Sequence, residues 1–308
     1  SKAWKYFNSV EDGARVSKGW FKVVPAEYLN EGKYDDDEDF WYYADGSGNL
    51  YAGEFKTIKG KKYAFRNDGR MLTGLKFILE DDDNDNLTVY ADDDGTYNFD
   101  NEDDFLDNAV AFYEPGGYKC YYFGGGDDGA MRTNKTTVEI DGENHNFYFE
   151  KSGSKKGAGV TGEKDDKLYQ SGMLLKADSD DKYVVVDKTT KYTTNAAGEK
   201  VLDYVTYNKL DDAKDFMAQD DVLESNTAVD ADGKIDLGNN NKKKAEDISE
   251  AYTIGYKAYG SSDMTTHEYF LVNTSGKVID NRGKNKDGSD YYYVTDNSGK
   301  ITNIYVED

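Results

Sequence analysis

The chain has 308 residues, of which 37% are hydrophobic, and its 38 basic and 61 acidic residues give a formal net charge of −23. A surface with this negative charge repels the phosphate backbone of nucleic acids and anionic lipids. We therefore expect no nucleic-acid binding. A single cysteine excludes an intrachain disulfide framework, and no apolar run approaches the roughly 20 residues of a membrane span, so we expect no membrane insertion.

Aromatic residues supply much of the apolar surface. The sequence holds 27 Tyr and 14 Phe, together with 31 Gly and two Pro. Tyrosine-rich chains often bury the body of each ring and keep its hydroxyl near water in thin, many-stranded structures. Abundant glycine with little proline is typical of hairpins closed by glycine turns.

An aromatic strand followed by a glycine turn recurs along the chain. Within Phe40–Leu75 two copies follow one another, FWYYADGSGNLYAGEF and KKYAFRNDGRMLTGL. In both, an apolar residue stands two positions after the turn glycine, and a second glycine follows. Further copies are marked by turn glycines at Gly13, Gly95, Gly129, Gly153, Gly172, Gly198, Gly276 and Gly299. A unit of about 20 to 25 residues with loop insertions accounts for these separations.

Each copy is predicted to form a β-hairpin. Alternation in Lys62–Phe65 places Tyr63 and Phe65 on one face, as a half-buried strand requires. The turn at Asn67-Asp68-Gly69 follows, where glycine accepts a positive φ without steric cost. Because one hairpin is marginal alone, neighbouring hairpins must cover each other's rings. The predicted fold class is therefore mostly all-β, a repeat β-solenoid of stacked hairpins.

Two segments depart from this pattern. Apolar residues recur at helical spacing between Asp100 and Tyr113, where Asp100 or Asn101 could cap a short helix. A weaker helical pattern runs from Lys209 to Glu224. We therefore divide the chain into a hairpin array at 1–206, a polar insertion with a short helix at 207–265, and C-terminal hairpins at 266–308.

The recurring units resemble the choline-binding or cell-wall-binding repeats, whose relatives form glucan-binding regions. The pattern of these repeats is Gly-Trp, a spacer, an aromatic strand, a turn glycine and Met. The residues that carry the resemblance are Gly19-Trp20, Trp41-Tyr42-Tyr43, Tyr63-Ala64-Phe65 with Gly69-Arg70-Met71, Tyr121-Tyr122-Phe123 with Gly129-Ala130-Met131, and Phe147-Tyr148-Phe149 with Gly153. The resemblance implies a non-catalytic module of a secreted or cell-surface bacterial protein, associated with the cell wall and bound to a wall polymer or glycan.

Aromatic rings are the candidate ligand-binding groups. In choline-binding members, rings from consecutive hairpins enclose the quaternary ammonium, and such rings could also stack on sugars. The candidates here are Trp4, Trp20, Trp41, Tyr43 and Tyr63. The second unit departs from the family pattern, with Phe55 and Lys62 where tryptophans are usual, which argues against choline. The alternative is that all these rings form the core between hairpins.

Other motifs are incomplete. Asp81, Asp83 and Asp85 have the alternate spacing of a calcium loop, but the loop glycine is missing, and Asp230–Gly233 is a similar fragment. Gly124–Gly129 and Gly157–Gly162 match a dinucleotide fingerprint without the apolar helix that should follow it. We expect no cofactor, no dedicated metal site and no enzyme. The alternatives are a structural or adhesive stalk that binds a protein partner through 207–265, and a calcium-stiffened enzyme fragment.

Overall fold

The computed structural model describes residues 4–7, 13–81, 86–90, 99–113, 117–210, 216, 222–254 and 264–308. The turn predicted at Gly95, the acids Asp83 and Asp85, and most of the helix predicted over Lys209–Glu224 lie outside these residues. The contacts within the chain separate it into two compact units, residues 1–160 and 161–308. This boundary falls inside the array predicted at 1–206.

The N-terminal unit consists of antiparallel hairpins interrupted by two helices. Its elements are β1 (Gly19–Val23), α1 (Glu31–Asp35), β2 (Phe40–Ala44), β3 (Glu54–Ile58), β4 (Lys61–Phe65), β5 (Leu75–Asp81), β6 (Asn86–Val89), α2 (Glu102–Tyr113), β7 (Lys119–Tyr122), β8 (Asn134–Ile140) and β9 (Glu143–Phe149). Strand β1 pairs with β2, β3 with β4, and β8 with β9, while β5 lies between β6 and β7.

The C-terminal unit is built from longer sheets. Its elements are β10 (Gly162–Lys164), β11 (Lys167–Gln170), β12 (Met173–Leu174), β13 (Tyr183–Thr194), β14 (Lys200–Leu210), β15 (Leu223–Ser225), β16 (Lys234–Asp236), β17 (Lys242–Lys244), a short 3-10 helix (Ala245–Asp247), β18 (Ile248–Ile254), β19 (Thr265–Asn273), β20 (Lys284–Lys286), β21 (Tyr291–Thr295) and β22 (Ile301–Glu307). Strand β13 lies between β14 and β19, and a second sheet has the order β15-β18-β22-β21-β20.

The mostly β fold class predicted from the sequence is confirmed. Helix α2 forms where helical spacing predicted it, and Asn101 caps it by accepting the backbone N–H of Asp104 at 2.8 Å. Its buried face, which includes Phe105 and Phe112, packs on Phe77 of β5. The described part of the chain has no helix that is both long enough and apolar enough to span a membrane.

One backbone contact links successive hairpins of the N-terminal unit. After four turn glycines, Gly48, Gly69, Gly129 and Gly157, the residue two positions later donates its N–H to a carbonyl of an earlier hairpin. At the last of these turns the glycine is Gly157 and not the predicted Gly153. The pairs are Leu50 to Trp4 (2.8 Å), Met71 to Trp41 (2.8 Å), Met131 to Lys62 (2.8 Å) and Gly159 to Cys120 (2.7 Å). Each acceptor lies three residues before the residue that ends its aromatic run, which is Phe7, Ala44, Phe65 or Phe123. The hairpins therefore stack through the same backbone position each time.

Close packing at the turn glycines completes this contact. Gly129 has φ +63°, and a Cβ added there would overlap the Met71 side chain of the earlier hairpin. Gly157 has φ +87° and stands in the same relation to Met131. Glycine is thus required at these turns for two reasons. It adopts a positive φ without steric cost, and it leaves room for the methionine side chain to approach closely.

Polar side chains close the turns from within. The Asp45 carboxylate accepts the N–H groups of Ser47 and Asn49, both at 2.8 Å. Asn273 forms the same two bonds to Ser275 and Lys277, both at 3.0 Å, through an uncharged amide oxygen. Such Asx turns explain why either Asp or Asn can occupy this position of the repeat.

The turn carboxylates predict an acid-sensitive fold. The Asn49 N–H holds the pKa of Asp45 below its usual value, and the Lys234 N–H does the same for Asp230. The stability they contribute is therefore present above the unfolded pKa of about 4 and is lost as pH falls through the lower folded values. We expect the melting temperature to fall as the pH drops from about 5 to 2, and less so in Asp45→Asn/Asp230→Asn, measured by circular dichroism. An equal acid slope in that variant would contradict this role.

Candidate functional site

An aromatic cleft opens on the first complete hairpins of the N-terminal unit. Its volume is about 290 Å³. Three strands (β1, β2 and β4) and two turns supply its walls, which are Trp20, Trp41, Tyr63, Met71, Asp127 and Asp128. Each side chain except the two aspartates is half-buried or better, and both aspartates are exposed at the rim.

Strand register places the rings. Trp20 of β1 pairs with Tyr43 of β2, so Trp41, two residues earlier on β2, is its diagonal neighbour on the same face. The Trp20 and Trp41 rings stand at 87° with centroids 6.4 Å apart. Tyr63 of the next hairpin meets Trp20 at 63° and 4.8 Å. The three rings thus present faces and edges from different directions to one small space.

The remaining wall is Met71, which follows the turn of the second hairpin. Its backbone N–H binds the Trp41 carbonyl, and its side chain packs with Ile58 and Phe65 beneath the rings. Thioethers are soft and polarisable and contact aromatic rings favourably. The stacking contact between hairpins therefore also builds the cleft.

Two carboxylates from the turn of a later hairpin close the rim. Asp127 accepts the indole N–H of Trp41 at 3.1 Å and pairs with the Lys22 ammonium at 3.1 Å. Asp128 pairs with Arg132 and accepts the Ala130 N–H at 3.0 Å. The indole bond fixes the orientation of the Trp41 ring.

Both rim carboxylates are held ionised. Hydrogen bonds from Lys22 and Trp41 lower the pKa of Asp127. Partial burial opposes ionisation of Asp128, but the bonds from Arg132 and the Ala130 N–H outweigh it, and its pKa is lowered too. Burial, followed by the nearby Asp128 charge, raises the pKa of the Tyr63 hydroxyl. At neutral pH the cleft therefore combines ring faces with two ionised carboxylates, each paired with a cation, Asp127 with Lys22 and Asp128 with Arg132.

A larger groove of about 960 Å³ shares three of the same residues. Trp41, Met71 and Asp127 line both spaces. The groove continues past charged and backbone groups that include Lys22, Asp39, Arg66, Lys76, Gly125 and Glu139. An extended polar chain could lie in this groove while one of its substituents enters the cleft.

Three of the five predicted ligand-binding residues, Trp20, Trp41 and Tyr63, line this cleft. Tyr43 packs behind it, between Trp20 (5.1 Å) and Tyr51 (5.2 Å). Trp4 lies in a different cluster, 6.2 Å from Tyr28.

Sequence reasoning did not select Met71, Asp127 and Asp128. The stretch Gly124–Gly129, which contains both acids and matches a dinucleotide fingerprint in part, forms a turn beside the rings. Asp230, from the fragment compared with a calcium loop, caps its own turn and pairs with Lys242 at 3.1 Å.

No family model matches the sequence, and no curated protein matches it. Among solved structures, the chain is similar to choline-binding protein F from Streptococcus pneumoniae with a peptidoglycan analogue, at 18% identity and a TM-score of 0.31, over 65% of this chain and 49% of that one.

Two further solved structures are similar to this chain. One is the pneumococcal cell-wall endolysin from phage Cp-1 complexed with choline, at 18% identity and a TM-score of 0.26, over 63% of this chain and 40% of that one. The other is the autolysin LytC from Streptococcus pneumoniae with a synthetic peptidoglycan ligand, at 16% identity and a TM-score of 0.20, over 66% and 36%.

The resemblance predicted from the sequence thus recurs in the solved structures, which are choline-binding proteins and wall enzymes. This chain spans about half of the first of them, or less of the others. TM-scores between 0.20 and 0.31 assign neither a family nor a ligand to this chain.

Proposed function

We propose that this chain is a non-catalytic binding module that attaches a secreted or surface protein to the cell wall by holding a cationic substituent of a wall polymer or glycan. The observation that carries the proposal is the cleft of Trp20, Trp41 and Tyr63 with two ionised carboxylates at its rim. Neither histidine of the chain lines it.

Ring faces and carboxylates together favour a cation. The quadrupole of an aromatic ring attracts a positive charge by about 0.5 to 2 kcal/mol per good contact, and tryptophan is the strongest. A quaternary ammonium, such as the choline group, suits such a cleft because its methyl groups pack on the rings and its charge needs no hydrogen bond. The rim carboxylates Asp127 and Asp128 would add attraction at longer range.

The sequence argued against choline because the second unit has Phe55 and Lys62 in place of tryptophans. The cleft draws Trp20 and Trp41 from the preceding unit, where both tryptophans are present. The replacement of tryptophan by Phe55 and Lys62 therefore affects the second unit and not the cleft, whose tryptophans come from the first. A choline-type substituent of a wall polymer remains the ligand that the first cleft favours.

Pull-down with purified cell wall, teichoic acid and α-glucans tests this proposal. We expect wall or teichoic acid that carries choline to retain the protein, and free choline at millimolar concentration to release it. Wall material stripped of choline serves as the matched control. Equal retention by stripped and native wall would overturn the cationic ligand, and retention by none of the polymers would overturn the binding function.

The rim charge gives a separate expectation. Asp128→Asn should weaken binding of a quaternary ammonium about two- to fivefold at low salt, since exposed charge pairs contribute modestly. The difference from wild type should shrink at 1 M salt, where screening is nearly complete. Titration calorimetry at two salt concentrations measures this, with the exposed helix residue substitution Asp107→Asn as control. A loss of affinity that salt does not change would argue against a charge effect.

A further inference from the structure

The geometry of the cleft recurs one hairpin further along the N-terminal unit. On β3 and β4, Phe55 pairs with Ala64, as Trp20 pairs with Tyr43 on β1 and β2. Lys62 is then the diagonal neighbour of Phe55, in the position that Trp41 holds relative to Trp20. Tyr121 and Met131 complete the second set in the positions of Tyr63 and Met71.

The ring distances and angles agree between the two sets. Phe55 meets Tyr121 at 5.2 Å and 56°, where Trp20 meets Tyr63 at 4.8 Å and 63°. Phe55 also lies 6.4 Å and 33° from Phe123, against 5.8 Å and 29° for the corresponding first pair. The backbone bond from Met131 to Lys62 has the same 2.8 Å length as that from Met71 to Trp41.

The two sets differ in what fills the space between the rings. The Lys62 ammonium lies over the Phe55 ring, 4.7 Å from its centroid. This distance is within the range of a cation held by a ring face. In the second set, the chain itself thus places a positive charge where the first set has an indole wall and an open cleft.

Charge at the facing turn is also reversed. The glycine that packs on Met71 follows Asp127 and Asp128, whereas the glycine that packs on Met131 follows Lys155 and Lys156. Both lysines are exposed. The first cleft therefore has two carboxylates at its rim, each in an ion pair, and the second has two exposed lysines in the equivalent sequence positions.

We infer that the set Phe55, Tyr121 and Met131 is a second copy of the ligand cleft whose cation is supplied by the chain's own Lys62. The inference rests on the proposed function and narrows the class of ligand to organic cations. The reason is that the second set, which has the same ring geometry as the first cleft, holds the ammonium group of Lys62. The first cleft is then open to an external cation, while Lys62 and the turn lysines exclude one from the second.

Occupancy by Lys62 can be measured without any ligand. Proton NMR should show the ε-methylene protons of Lys62 shifted upfield by the Phe55 ring, relative to those of the exposed Lys61 on the same strand. Phe55→Leu should abolish the difference. Equal shifts for the two lysines in the wild-type protein would overturn the inference, whatever the ligand of the first cleft proves to be.

Opening the second cleft provides the matching experiment. The triple variant Lys62→Trp/Lys155→Asp/Lys156→Asp gives the second set the features of the first cleft. The tryptophan supplies the indole wall, and the two aspartates supply the acidic pair. Calorimetric titration with tetramethylammonium and with choline should find one site in the wild type and two in this variant. In Lys155→Asp/Lys156→Asp, which retains Lys62, the number should stay at one.

The outcomes separate this inference from the proposed function. One site in both the wild type and the folded triple variant would overturn the second cleft while leaving the first intact. No binding to the wild type would overturn the proposed function, and the NMR shift of Lys62 would still decide the inference. Two sites in the wild type would overturn self-occupancy.

Discussion

Replacing Trp41 with alanine is expected to weaken binding of a quaternary ammonium about tenfold while leaving the hairpins folded. The indole supplies one wall of the cleft, and a cation over a tryptophan face contributes up to about 2 kcal/mol, where 1.4 kcal/mol corresponds to a tenfold change. The substitution also removes the bond that Asp127 accepts from the ring. Titration calorimetry with choline measures the change in affinity.

The fold should tolerate this substitution because the stacking contact of Trp41 is made by its backbone carbonyl. Loss of its ring contact with Trp20 should cost about 0.5 to 1.5 kcal/mol of unfolding free energy. Trp4→Ala is the matched control, since Trp4 occupies the same position of the repeat but packs away from the cleft. Equal loss of affinity in both variants would contradict the assignment of the site.

Replacing Phe65 with alanine is expected to lower the unfolding free energy by about 3 to 5 kcal/mol, the usual range for a buried aromatic ring. Phe65 is completely buried and lies 5.8 Å from both Trp20 and Tyr51, in the cluster with Ile58 and Met71. Alanine would leave a cavity beneath the cleft. Urea denaturation followed by tryptophan fluorescence measures the loss.

The repeat itself offers the control for this change. Phe7 holds the equivalent strand position in the first unit but is 53% exposed. Phe7→Ala should therefore change the unfolding free energy by no more than about 0.5 kcal/mol. A cost for Phe65→Ala as small as that would mean that the ring cluster does not stabilise the stack.

Local chemistry made much of the fold predictable. Turn glycines such as Gly69 and Gly129 were recognisable because a hairpin needs a positive φ there, and the helical spacing of Phe105, Leu106 and Ala109 identified α2. The five-residue helix α1 was not predicted. Such a helix is too short to show a period, and Asn30 holds it by capping the Lys33 N–H at 3.1 Å.

The cleft depended on information that no local pattern contains. Trp41 and Asp127 are 86 positions apart, and only the stacking of hairpins brings the indole to the carboxylate. Recurrence alone also did not separate residues 1–160 from 161–308. Strands β13 and β14 have 12 and 11 residues, which is longer than the strands of the repeat. Their length is set by the strands with which they pair, since they pair with each other and β13 also pairs with β19, which is distant in sequence.

The contact that joins the hairpins has a consequence for how such an array changes by mutation. Its acceptors are the carbonyls of Trp4, Trp41, Lys62 and Cys120, four positions with three different side chains. Because this hydrogen bond joins backbone atoms, it does not dictate which side chain stands at the acceptor position. A single substitution at one of these positions can create, remove or alter one binding cleft while the hydrogen bond between the hairpins is kept. The number of binding sites in the array can therefore change by mutation without loss of the stacked fold.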